Sequence, residues 1–259
     1  MLHALLHNKL KDSFRDPHFK PSEDSLTSSV IGLMQYLPDV LFWQLLRGSC
    51  GMQSLLPKDV GKIRSVNFWE KMIADGEHNS NYVEPDVWIE CEKYDIVIEA
   101  KKYDSWGQYQ GQWKKEIISF NKTFEYHDKE LIYIALGGNT SLKDCTLDVN
   151  GRSYTVYTSS WYNLLGEADK CRQYLISENP AGETRGYIRL LNDLLAIFAK
   201  HGYLRIRWLE NMEHIRIDRD STKSISAYWE FDNKTLLQDF YKSAKPITIN
   251  TINDVWKQK

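Results

Sequence analysis

No run of about eighteen apolar residues occurs in this 259-residue chain, so no segment has the length and hydropathy of a membrane-spanning helix. The opening Met1–Lys9 is too short and too interrupted by histidine to read as a signal peptide, and a cytoplasmic location is expected. Cysteine is sparse. Cys50, Cys91, Cys145 and Cys171 are scattered without a CxxC pair, which argues against a zinc ribbon or a disulfide framework. The seven histidines form no HExxH or other paired spacing, so zinc hydrolysis is not encoded. A P-loop glycine pattern is missing as well, and no nucleotide cofactor is expected. Charge of one sign is not in excess. Lys and Arg number 33 against 35 Asp and Glu, a formal charge of −2, so any nucleic acid must be met by a local basic patch. Internal repeats and low-complexity tracts are lacking too.

What is present is the composition of a folded protein: 42% apolar, 26% charged and 13% aromatic residues. Pro21–Pro38 reads as a helix with Ser22 as N-cap, Glu23 and Asp24 in the first turn and an apolar stripe of Leu26, Val30, Leu33 and Leu37. Glu23 falls near the centre of that stripe, and Asp24 points away. A second helical stretch runs from Pro38 to Leu46, then a loop to Lys62 and a short strand from Ile63 to Trp69. Pro85–Glu92 and Tyr94–Lys101 are the strongest strands and lie close enough to form a hairpin. Trp106–Phe120 follows as a helix whose stripe holds Tyr109, Trp113, Glu116, Ile117 and Phe120, and Leu131–Leu136 is a buried strand before Gly137 and Gly138. Tyr154–Thr158 is a further strand, and Glu183–His201 a long amphipathic helix stopped by Gly202. The expectation is one α/β domain over 1–202, a mixed sheet of about five strands flanked by helices, with a basic, aromatic-rich C-terminal extension over 203–259.

Asp86, Glu99 and Lys101 stand out because ionisable residues in apolar strands are costly unless paired or put to use. Glu99 and Lys101 share a strand face. A two-residue hairpin loop places Asp86 opposite either Glu99 or Lys101, with the three side chains within roughly 5–8 Å at Cβ. Two carboxylates that close repel unless a cation sits between them, and a few hard oxygen ligands suit Mg²⁺, with Mn²⁺ as a substitute. Lys101 beside such a site would orient water or stabilise charge on a phosphate in the transition state.

Pro85-Asp86, twelve intervening residues and Glu99-Ala100-Lys101 resemble the core motif of the PD-(D/E)XK nuclease superfamily, the restriction-endonuclease-like group. The resemblance spans roughly Ser22 to Leu136, about half of the chain. It implies a restriction-endonuclease-like core, metal ligation by Asp86, Glu99 and the Ala100 carbonyl, and a catalytic Lys101. It also implies an additional acid from the first helix, for which Glu23 has the inward phase, and a helix glutamine, for which Gln112 fits better than Gln108. The expected activity is phosphodiester hydrolysis, endo- or exonucleolytic, on DNA or alternatively RNA, in a setting such as prokaryotic antiviral defence. Double-strand cutting would call for a homodimer or a partner protein. The competing expectation is a non-catalytic member of the same fold that binds nucleic acid or protein in a larger complex.

Each of these residues has a plainer explanation. Asp86, Glu99 and Lys101 could form a cross-strand salt-bridge cluster on a solvated face, and Glu23 could merely answer the helix dipole. Lys114 and Lys115 are the basic pair expected nearest the site, ahead of Lys9, Lys11, Arg15, Lys20 and the C-terminal arginines. Trp106, Tyr109, Trp113, Trp161, Tyr162 and Trp229 could stack on unpaired bases, although for Tyr109 and Trp113 the helical spacing favours the core.

Overall fold

A computed structural model of the chain describes residues 21–51, 55–74, 82–125, 128–178, 182 and 184–204. Through them the order is α1 (Glu23–Met34), α2 (Asp39–Ser49), β1 (Ile63–Phe68), β2 (Met72–Ile73), β3 (Tyr82–Val83), β4 (Val87–Cys91) and β5 (Tyr94–Ala100), then α3 (Gln110–Thr123), β6 (Glu130–Leu136), β7 (Cys145–Val149), β8 (Arg152–Ser159), α4 (Trp161–Glu178) and α5 (Thr184–Lys200). Apart from Tyr203 and Leu204, the expected C-terminal extension lies outside the described residues, as do Lys9, Lys11, Arg15, Lys20 and Trp229. No described helix is long and apolar enough to cross a membrane.

Six strands form one mixed sheet in the order β1-β4-β5-β6-β8-β7, and β2 pairs with β3 separately. The sheet has one strand more than the five or so expected. The addition is β7, antiparallel to β8 at the sheet's edge, where Asp148 accepts from the Gly151 amide across the turn. β1, β4 and β5 form an antiparallel meander, while β5, β6 and β8 run parallel. Parallel pairing of β5 with β6 requires a crossover, and α3 supplies it.

The hairpin register follows from alternation. Val87 pairs with Ile98 and Ile89 with Ile96, all four buried on one face, so the next position places Asp86 opposite Glu99 rather than Lys101. Only Glu92 and Lys93 separate the two strands. Neither has the positive φ of the usual two-residue hairpin turns. Instead their amides donate to the carbonyls of Lys62 and Val60, so the turn is held from outside.

The sheet separates two apolar cores. On one face Ile96, Ile98 and Ala100 of β5 pack with Leu26 and Val30 of α1, Phe42 and Leu46 of α2, Trp161 and Leu164 of α4, and Leu194 and Phe198 of α5. On the other, Val97, Tyr133 and Ala135 meet Trp113, Ile117 and Phe120 of α3. Glu99 and Lys101 continue the alternation of Val97 and therefore belong to the α3 face.

Helix α3 starts at Gln110, not at Trp106 as its stripe predicts. Positive φ at Gly107 and an extended Tyr109 keep the preceding segment non-helical. Trp113 is buried as expected, but Tyr109, favoured for the core, is 60% exposed because it precedes the helix whose spacing placed it there. Helix α4, 18 residues long, is an element that the sequence reading did not assign.

Candidate active site

The candidate residues meet at the carboxyl end of β5. Ser22 caps α1, as expected from the sequence, and it does so in a capping box with Ser25 that fixes the first turn carrying Glu23. From there Glu23 reaches the strand end: one carboxylate oxygen accepts from the Lys102 amide at 2.9 Å and the other lies 3.7 Å from Lys101 Nζ. The Lys101 ammonium also donates to Glu99 Oε1 and, at 3.2 Å, to the Ala100 carbonyl. Thus one ammonium touches Glu99, the Ala100 carbonyl and Glu23, three of the four donors expected to hold a metal.

Asp86 is aimed by two donors. The Ala100 amide donates to Oδ2 at 2.8 Å and the Trp69 indole N–H to Oδ1 at 3.1 Å. Trp69 adopts a left-handed φ of 52°, a conformation that costs a bulky residue about 1–2 kcal/mol. Its own amide also bonds the Asp86 carbonyl at 3.2 Å, so two bonds to one residue maintain the strained position.

The fourth wall is α3. Gln112 and Glu116 are four residues apart and so share a helix face. Gln112 Nε2 donates to Glu99 Oε1 and to Glu116 Oε1. Tyr133 Oη, from β6, donates to Glu116 Oε2 at 2.5 Å. Gln108 also reaches the site, donating to the Glu99 carbonyl at 2.8 Å and accepting from the Trp113 indole at 2.6 Å. Both glutamines therefore touch Glu99, Gln112 through its carboxylate and Gln108 through its backbone. Lys114 is exposed and Lys115 half-buried on α3, within one turn of Gln112.

The electrostatics of this cluster are lopsided. Asp86, Glu99 and Glu116 are 8%, 3% and 2% exposed, and among the described residues the only basic side chain bonded to any of them is Lys101, on Glu99. Burial, reinforced by the charge of Glu99, holds Asp86 well above the usual carboxylate range. Burial and then the charge of Glu116 push Glu99 up to about 8, while burial raises Glu116 to about 7 against the hydrogen bond from Tyr133. Glu99 and Glu116 accept from the same Gln112 amide, which holds the two carboxyls side by side. Burial pulls the Lys101 ammonium down, but Glu99 and Glu23 outweigh it, and the lysine stays charged.

A divalent cation fits this imbalance, since it would supply the charge that the acids lack. No group of three His, Cys, Asp or Glu side chains among the described residues is arranged as a metal cluster. The donors present are the Asp86 and Glu99 carboxylates and the Ala100 carbonyl, while Glu23, the fourth expected ligand, is engaged by the Lys102 amide and lies 3.7 Å from Lys101 Nζ. Such a small all-oxygen set suits a hard cation that keeps several waters, as Mg²⁺ does. Four residues close to Asp86 in sequence are further ligand candidates: Glu77 and His78 lie outside the described residues, Glu70 is exposed and Glu84 is half-buried.

Sequence reasoning missed Trp69, Glu116 and the Gly137-Gly138 pair as parts of this site. Gly137 has φ 71°, and a Cβ there would stand 2.3 Å from the Lys101 carbonyl oxygen. At Gly138, with φ 66°, it would stand 2.7 Å from Lys101 Cβ. The two glycines let β6 end against the lysine. Comparison of the chain with family models, with characterised proteins and with solved structures finds no match.

Proposed function

We propose that this protein is a Mg²⁺-dependent nuclease that hydrolyses phosphodiester bonds, with DNA as the first substrate to test. One observation carries the reading: Asp86, Glu99 and Lys101, from two adjacent strands, lie at one buried strand end, with Gln112 on the Glu99 carboxylate and Glu23 on the lysine. The PD-(D/E)XK pattern read from the sequence assigns these residues the same roles.

Asp86, Glu99 and the Ala100 carbonyl would hold the metal, which when bound supplies Lewis acidity at the phosphate and activation of water. The remaining work falls to the chain itself. Trp69 and the Ala100 amide fix the Asp86 carboxylate, and Gln112 fixes that of Glu99, so neither needs to reorganise when substrate arrives. The raised proton affinities of Asp86 and Glu99 mean that a cation must displace protons, which makes activity rise from acid toward pH 8. Lys101 remains protonated and would donate to the phosphate oxygens as charge grows on them. Glu23 holds the Lys102 amide and so the strand end that presents the lysine.

Cleavage of supercoiled plasmid, linear DNA and single-stranded RNA, in Mg²⁺, Mn²⁺ or chelator, tests the proposal. Activity is expected with either metal, none with chelator, and a loss of several orders of magnitude in Lys101→Ala and in Asp86→Ala. Full activity in both variants, or no cleavage of any substrate together with no calorimetric metal binding, would overturn it.

A further inference from the structure

We propose that a cavity beside Glu99 holds one unpaired nucleobase of the strand being cut, stacked on Trp106; this rests on the nuclease reading above. Three large aromatic side chains project from the short segment between Lys101 and α3. Tyr103 and Tyr109 are each 60% exposed and Trp106 is 77% exposed, whereas Trp113 and Trp161 nearby are buried. Exposing an indole to that extent forgoes most of the burial that normally stabilises it in a fold.

The segment is fixed at several points, which argues against a loose loop whose aromatic residues simply lack a partner. The Gly138 amide donates to the Tyr103 carbonyl at 2.5 Å, Gln108 N to the Gly138 carbonyl at 3.3 Å, and Tyr203 Oη to the Lys102 carbonyl at 2.6 Å. The Asp104 carboxylate accepts from the Trp161 and Tyr162 amides at 2.8 and 3.0 Å, which ties the segment to the first turn of α4. Trp106 is thus presented on an anchored frame.

Behind it opens a cavity of about 200 Å³ lined by Trp106, Gln108, Trp113, Asn139, Lys143 and Thr158 among others. Its lining matches the demands of a nucleobase: the Trp106 face for stacking, the Thr140 and Ser141 hydroxyls for the base edge, and the Lys143 ammonium for an adjoining phosphate. Gln108 is the wall shared with the catalytic cluster, since its amide nitrogen bonds the Glu99 carbonyl while its amide oxygen faces the Trp113 indole. Through Gln108 the cavity wall is tied to the strand end that carries Glu99 and Lys101. Within a duplex both faces of a base are covered, and extruding it costs a few kcal/mol. The cavity therefore selects single-stranded or locally unpaired substrate over continuous duplex.

Fluorescence anisotropy of the full chain in EDTA, with short fluorescein-labelled single-stranded DNA, single-stranded RNA and the matching duplexes, reads binding apart from cleavage. Single strands are expected to bind more tightly than duplex. Trp106→Ala should weaken single-strand binding about 5- to 150-fold, and Trp106→Phe should restore most of it. Lys143→Ala should lower the salt dependence by about one phosphate contact. The DNA and RNA arms show which backbone is preferred. Equal single-strand affinity in Trp106→Ala and parent, or tighter binding of duplex by the parent, would overturn the proposal. The two readings fail separately: Trp106-dependent binding by a protein that cuts nothing keeps the base cavity and removes the nuclease, whereas Lys101-dependent cutting that Trp106→Ala leaves unchanged does the reverse.

Discussion

Glu116→Gln should stabilise this protein at alkaline pH and destabilise it at acid pH. Glu116 is 2% exposed, and burial raises its carboxyl from 4.5 to about 7. Because the folded-state value lies above the unfolded one, the folded protein retains a proton that the unfolded chain has already released. Stability therefore falls as pH rises from about 4.5 through about 7 and is level above that, a total of about 3 kcal/mol at 1.36 kcal/mol per pH unit. Glutamine removes this cost, yet its single oxygen cannot accept from both Tyr133 Oη and Gln112 Nε2 as Glu116 does, a loss of about 1 kcal/mol. The net effect is a gain of about 2 kcal/mol at pH 8.5 and a loss of about 1 kcal/mol at pH 4, below the unfolded-state value. Melting temperature should shift by about +4 to +8 °C and about −2 to −4 °C respectively. Thermal unfolding of parent and variant in EDTA at the two pH values measures the difference, and Mg²⁺ should narrow the gap at pH 8.5 by neutralising the same charge. A variant destabilised equally at both pH values would refute the electrostatic argument and leave Glu116 as an ordinary hydrogen-bonded core residue.

Three further substitutions test the scaffold around the cluster. Gly137→Ala should lower nuclease activity at least tenfold with far-UV circular dichroism retained, because its Cβ would meet the Lys101 carbonyl and the Trp161 indole at a positive φ. Trp161→Phe deletes the indole donor that bonds the Lys101 carbonyl at 2.7 Å and should cost about 1–3 kcal/mol in urea unfolding, since that acceptor is left buried. Ser22→Ala removes the capping box at α1 and should cost about 1 kcal/mol; Ser22→Asp, which can cap in the same way, should restore most of it.

Where periodicity sets a side chain's direction, the site could be read from sequence. Alternation along β4 and β5 put Asp86 on the face of Glu99, and helical phase turned Glu23 inward and favoured Gln112 over Gln108 as the helix glutamine. Those inferences need only the local repeat of one element. The parts that were not legible depend on elements distant in sequence. Glu116 reads as one more residue of an amphipathic stripe until Tyr133, on the strand beyond the crossover, supplies its donor. The indole of Trp69 aims Asp86 only because its backbone takes a positive φ, which nothing in its residue type foretells. Gly137 and Gly138 read as a strand stop, and their close approach to Lys101 follows from the parallel pairing of β5 with β6. The hairpin turn belongs to the same class, as Glu92 and Lys93 are poor turn formers whose amides are satisfied by the residues before β1. Strand β7 was missed although it alternates, with Leu147 and Val149 buried and Thr146 and Asp148 exposed, because the pattern runs for only five residues at the sheet's edge.

Burial separates the two explanations that the sequence left open for Asp86, Glu99 and Lys101. A cross-strand salt-bridge cluster on a solvated face would leave its acids hydrated, near their ordinary proton affinities and each within reach of a basic partner. Here three acids are almost wholly buried, and all three have raised proton affinities. Among the described residues a single ammonium, that of Lys101, is bonded to the cluster. By contrast, Glu90 at the other end of the same hairpin has both Arg64 and Lys129 as partners, and their hydrogen bonds hold its carboxyl below the usual range despite the opposing effect of burial. Glu90 is the ordinary salt bridge of this sheet. The acids at the Lys101 end are instead crowded together by Trp69, Gln112 and Tyr133, which donate hydrogen bonds but bring no positive charge. A fold stabilised by that end of the sheet would have replaced these acids with apolar residues of similar volume. Retaining them under-compensated creates a demand for positive charge at one fixed point, which is what a cation-dependent reaction on a phosphate requires.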